Sequence, residues 1–121
     1  MIDRYQHEAI RTLQDFDVHF KDATREELLG ALRLCFCIIG LQGEVGELSE
    51  LLKKQIFHGK DVSHDKLIEE HGDIMWYASV LTDNLGFLVS DSLANNIAKL
   101  RKRHGKKYNP EHYTTEGAGH D

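Results

Sequence analysis

Apolar positions recur at helical spacing along most of this chain, and nowhere do they alternate as a strand would require. Tyr5, Ala9, Leu13 and Phe16 form a stripe that predicts a first helix over about Arg4 to Phe16. A polar connection, Lys21 to Thr24, follows. Thr24-Arg25-Glu26-Glu27 then reads as a capping box, with Thr24 at the N-cap and Glu27 three residues on. The apolar pattern from there predicts a second helix reaching His58, broken or bent near Gly40, Gly43 and Gly46. Those three glycines repeat every third residue and offer a smooth strip for close packing. Gly59 suits a left-handed C-cap. Ser63 is placed to cap a third helix ending near Gly86. Ser90 is placed to cap a fourth, with Asp91 in its first turn and Gly105 at its end. The expected class is therefore all-α: four helices in one domain over residues 1–108, followed by a tail over 109–121 that is short of apolar residues.

Composition agrees. The chain has 121 residues, 40% hydrophobic, with one proline, which suits a single helical domain. A net charge of −5 lacks the basic footprint of a nucleic-acid binder. No stretch approaches the roughly 18 apolar residues needed to span a bilayer, and the opening residues show no leader pattern. Cys35 and Cys37, two apart on a helix, point to different faces and read as free thiols. The expected setting is the cytoplasm, with no membrane and no nucleic acid as partner.

Charge changes the picture at two places. Glu44-Val45-Gly46-Glu47 and Glu70-His71-Gly72-Asp73 are carboxylate pairs at i,i+3, a spacing that shares a helix face. One such pair is ordinary on a solvated helix. Both of these, however, are embedded among apolar residues: Ile38, Ile39, Leu41 and Leu48 around the first, Ile68, Ile74, Met75 and Trp76 around the second. Each also contains a glycine, Gly46 or Gly72, tolerable where another backbone or a bulky ligand comes close. Two such helices side by side would gather four carboxylates. Like charges in a low dielectric repel, and a hard divalent cation such as Mg²⁺ resolves the conflict through oxygen ligands.

Cations complement these pairs. Asn96, Lys99 and Arg103 share one face at i, i+3, i+7, and Lys54 follows Glu47 by seven residues. Together with a bound metal, they are what a polyphosphate needs. No GxxxxGK[ST] phosphate loop is present. His7, His19, His58, His64 and His71 form no metal-ligand pattern. A di-iron bundle would want Glu-x-x-His on two helices, whereas the fourth residues here are Glu47 and Asp73.

Four segments, in order, carry a resemblance: Tyr5-Gln6-His7-Glu8-Ala9-Ile10-Arg11-Thr12, Gly40-Leu41-Gln42-Gly43-Glu44-Val45-Gly46-Glu47, Glu70-His71-Gly72-Asp73-Ile74-Met75-Trp76-Tyr77, and Asn96-Ile97-Ala98-Lys99-Leu100-Arg101-Lys102-Arg103. This set resembles the MazG-like nucleotide pyrophosphohydrolases of the all-α NTP pyrophosphatase superfamily. The resemblance implies a four-helix bundle completed by dimerisation, as a homodimer or a dimer of dimers. It implies Mg²⁺-dependent hydrolysis of a nucleoside triphosphate to the monophosphate and pyrophosphate, in nucleotide-pool control or house-cleaning, with Mn²⁺ as a substitute ion. Glu44, Glu47, Glu70 and Asp73 become the metal ligands and catalytic carboxylates, with Glu47 the choice to handle the attacking water. Lys54, Asn96, Lys99 and Arg103 become phosphate contacts. Tyr77, sharing a face with Asp73, is a substrate-contact candidate; Gln14, Phe16 and Gln42 are candidates for lining a base pocket, and Trp76 reads as packing. Two departures stand out: His71 replaces an apolar residue, and His104-Gly105-Lys106-Lys107 replaces the usual aromatic-proline-glycine ending. Related readings are a dUTPase or a phosphoribosyl-ATP pyrophosphatase; a non-enzymatic helical oligomerisation module is the reading from another class.

Overall fold

The computed structural model describes residues 3–107; the predicted tail over 109–121 lies outside them. Every element among the described residues is a helix, and there are five rather than four: α1 (Arg4–Ile10), α2 (Phe16–His19), α3 (Arg25–His58), α4 (His64–Asn84) and α5 (Val89–His104). Contacts divide the chain into two compact units, residues 1–32 and 33–121.

The first unit corrects the single opening helix. Asp3 caps α1 in a reciprocal box with Gln6. After Ile10 the backbone tightens, with Thr12 N–H donating to the Ala9 carbonyl and Leu13 N–H to that of Ile10. Asp15 then accepts from the Val18 N–H and starts α2. An aspartate that caps a new turn competes with continuing the old one, so the apolar stripe outlasts the helix. The Thr24–Glu27 box forms as expected: Glu27 N–H donates to Thr24 Oγ1 at 3.1 Å and Thr24 N–H to Glu27 Oε2 at 2.7 Å.

α3 runs to His58 without a break, and Gly59 follows at φ +60°. The interruption expected at Gly40, Gly43 and Gly46 does not occur, because one glycine costs a helix only about 1 kcal/mol. Close packing falls on one of the three: an added Cβ at Gly40 would collide with the Tyr77 ring, while Gly43, Gly46 and Gly72 face open space. α3 also contains an 18-residue window of mean hydropathy 1.6 with at most two charged residues. By length and composition it could therefore cross a membrane, which corrects the run-length reading. Leucines on both sides of Arg33, with the cysteines, phenylalanine and isoleucines after it, keep the mean high although that charge interrupts the apolar run.

In the second unit α4 starts on Ser63, whose Oγ accepts from Lys66 N–H at 3.2 Å. It ends in a Schellman pair, Phe87 N–H to the Thr82 carbonyl and Gly86 N–H to that of Asp83, with Gly86 at φ +83°. α5 begins two residues earlier than Ser90 implied. Leu88 is its N-cap and no side chain caps it; Ser92 N–H instead donates to the Leu88 carbonyl. Asp91 is in the first turn and Gly105 terminates the helix, as expected.

α3 and α4 pair antiparallel. Phe36 and Gly40 meet Tyr77, Glu44 meets Glu70 and Asp73, and Leu48 and Leu52 share a groove with His64, Leu67, Ile68 and His71. Rising numbers on α3 thus match falling numbers on α4. Little of this is deeply covered: among the described residues the buried class holds Cys37 and Glu70. Phe36, Ile39, Ile56 and Phe57 on α3, and Leu93 and Ile97 on α5, are exposed.

Candidate metal centre

The antiparallel pairing brings the two acidic segments level. Oxygen atoms of Glu44, Glu70 and Asp73 lie within 4.8 Å of one another. Ligands around Mg²⁺ at about 2.1 Å are separated by roughly 3 Å in cis and about 4 Å in trans, so small side-chain adjustments would let one ion touch all three. The donor set consists of hard carboxylate oxygens, which fits such an ion. Burial is graded across the cluster: Glu70 is 7% exposed, Glu44 is intermediate, and Asp73 is open to solvent.

The electrostatics point the same way. The Glu44 carboxyl is raised above its usual 4.5, first by burial, then by the charges of Asp73, Glu70 and Glu47, with Lys66 offsetting part of the effect. This is the signature of a group that lacks positive charge. Lys66 supplies some: its Nζ is 3.0 Å from Glu70 Oε1 and 3.0 Å from Glu69 Oε2.

The remaining sequence-derived candidates divide. Glu47 is one turn from Glu44, exposed and outside the close trio, though its charge reaches Glu44. Tyr77 is one turn beyond Asp73, half-buried over Gly40 and in ring contact with Phe36 (centroids 5.8 Å) and Trp76 (4.8 Å). Trp76, read from the sequence as packing, lays its ring against Tyr77 but is 54% exposed. Lys54 is half-buried, on α3. Asn96 and Lys99 line a shallow hollow on α5 with Ser92 and Asn95; Arg103 is exposed in the last turn of that helix. No described hydrogen bond or ion pair joins these four to the carboxylates. Gln14, Phe16 and Gln42 are exposed. Sequence reasoning missed Lys66, although its i,i+4 offset from Glu70 is a legible pairing signal, and it missed Gly40 as the seat of Tyr77.

Among the described residues every element is a helix, and the two longest bring a cluster of three carboxylates together. The comparisons make this specific: residues 37–107 match the MazG nucleotide pyrophosphohydrolase domain, and the chain belongs to that family. It is also similar to the Gene 37 protein of Mycobacterium phage L5, with 36% identity over 75 residues, covering 58% of this chain and 65% of that protein. The chain thus spans just under two thirds of the length of that relative. No solved structure matches.

Proposed function

We propose that this protein is a Mg²⁺-dependent nucleoside triphosphate pyrophosphohydrolase that releases (d)NMP and pyrophosphate. The observation that carries the reading is the convergence of Glu44, Glu70 and Asp73 from two helices within 4.8 Å, in a chain of a nucleotide pyrophosphohydrolase family. When bound there, the ion would polarise phosphoryl oxygens and lower the pKa of its water. The protein's own residues do the rest. Glu44, Glu70 and Asp73 hold the ion, with Glu47 close enough in charge to join or to take a proton from the attacking water. Lys54, Asn96, Lys99 and Arg103 would grip the outer phosphates and stabilise the departing pyrophosphate. Tyr77, held over Gly40, would contact the nucleoside.

The exposed apolar faces of α3 and α5 support a homodimer or dimer of dimers, since large uncovered apolar patches mark interfaces. Such pairing would also give the α5 cations a second route to a carboxylate cluster. Free thiols at Cys35 and Cys37 support a cytoplasmic setting. Product chromatography tests the reaction: a dNTP should yield dNMP and pyrophosphate with no diphosphate along the way. Release of nucleoside diphosphate and orthophosphate would mean attack at the γ-phosphorus and would overturn the proposal.

A further inference from the structure

Lys66 precedes Glu70 by one turn of α4, and its ammonium reaches two carboxylates of very different surroundings. Glu69 is solvent-exposed at 63% of its side chain, and Glu70 at 9%. The exposed pair contributes little, being screened by water. The pair with Glu70 differs in kind. A buried carboxylate without a cation is costly, and Glu70 belongs to a cluster whose other members, Glu44 and Asp73, are also acidic. Lys66 is thus the cation that the ion-free protein sets against this cluster. Its Nζ is 3.0 Å from Glu70 Oε1, drawing on the lone pairs a divalent ion would need.

We propose that Lys66 is a resident counter-cation of the acidic cluster: it holds the Glu70 carboxylate in the ion-free protein, and a divalent ion must win a share of that carboxylate from it. The inference rests on reading Glu44, Glu70 and Asp73 as a metal centre. It gives Lys66 opposite effects on two states. The ammonium steadies the empty cluster by offsetting mutual repulsion. It opposes the loaded cluster, because a unit positive charge stands beside the incoming cation. Lys66 therefore sets how much free Mg²⁺ the protein needs. A merely structural ion pair would give one of these effects without the other. A lysine that helped to assemble the site would give the reverse sign for metal affinity.

The test uses the full chain and Mg²⁺ alone, without nucleotide. Lys66→Met keeps the aliphatic stem and removes the charge; Lys66→Arg keeps the charge. By calorimetric titration, Lys66→Met should bind Mg²⁺ about tenfold more tightly, the size expected for one unit charge removed a few ångströms from the ion at partial exposure. Lys66→Arg should stay near wild type. The gain should shrink with added salt, which screens the exposed part of the interaction. In chelator, Lys66→Met should melt at a lower temperature than wild type. Equal or weaker Mg²⁺ binding by Lys66→Met overturns the proposal. Should that variant fail to fold, Lys66→Gln, which retains a donor for Glu70, carries the same expectation. Wild-type protein that binds no Mg²⁺ would instead remove the metal-centre reading, and this inference with it.

Discussion

Glu44 shows most directly what the carboxylate cluster does to a side chain. Its carboxyl is raised above 4.5 by burial and by Asp73, Glu70 and Glu47. The folded protein thus holds that proton more tightly than the unfolded chain does. Stability falls as pH rises from the ordinary carboxylate value through the raised one. Glu44→Gln should accordingly raise the melting temperature in chelator while weakening the rise that Mg²⁺ gives the wild type. A melting curve with and without Mg²⁺ checks both parts. Asp73→Asn and Glu47→Gln should each cost turnover more than the roughly 10–100-fold typical of outer-shell changes, with helical circular dichroism unchanged. Near-wild-type turnover at saturating Mg²⁺ in either would take that carboxylate out of the catalytic set.

Among the elements, α3 combines two local devices with different testable costs. The Thr24–Glu27 box is an N-cap, so Thr24→Ala should cost about 1 kcal/mol in urea unfolding. Hydrogen bonds from Thr24 hold the Glu27 carboxyl below 4.5. Its stabilisation is therefore complete at neutral pH and is lost as pH falls through that depressed value. Gly40 works by absence. Gly40→Ala would drive a methyl into the Tyr77 ring, and overpacking of this kind costs about 1–3 kcal/mol. Adding Tyr77→Ala should recover most of the stability but not activity, which a double-mutant cycle reads directly. Signals carried by neighbouring residues are legible in the sequence itself: the Thr24 box, Gly59, Ser63, Gly86 and Gly105 all act where their residue types suggest. What depends on competition or on tertiary neighbours is not. Asp15 restarts a helix that apolar spacing would have continued, Leu88 replaces Ser90 through a backbone bond, and only contact with Tyr77 distinguishes Gly40 from Gly43. The paired carboxylates are visible from i,i+3 spacing, yet nothing in that spacing says that Glu47 stands apart from the other three.

For the molecule as a whole, the balance between burial and exposure has a consequence for assembly. Described residues of α3 and α5 present Phe36, Ile39, Ile56, Phe57, Leu93 and Ile97 to solvent, and the covered interior is small. Light scattering at micromolar concentration should therefore give the mass of a dimer or a tetramer; a monomer would leave that apolar surface without the proposed partner. Replacing Leu93 by Glu should shift the equilibrium toward smaller species.

The antiparallel register of α3 and α4 also constrains how such a sequence can vary. Each residue of helix turns the chain by about 100° and advances it about 1.5 Å. One residue inserted between Glu44 and His58, or between His64 and Glu70, swings a ligand a quarter-turn or more off the shared face. Seven residues nearly restore the angle but displace the ligand by about 10 Å. Neither change keeps both angle and height. From Glu44 to Asp73, the chain can be respelled at many letters but can change length only at the link over residues 59–63, where no helix transmits the error.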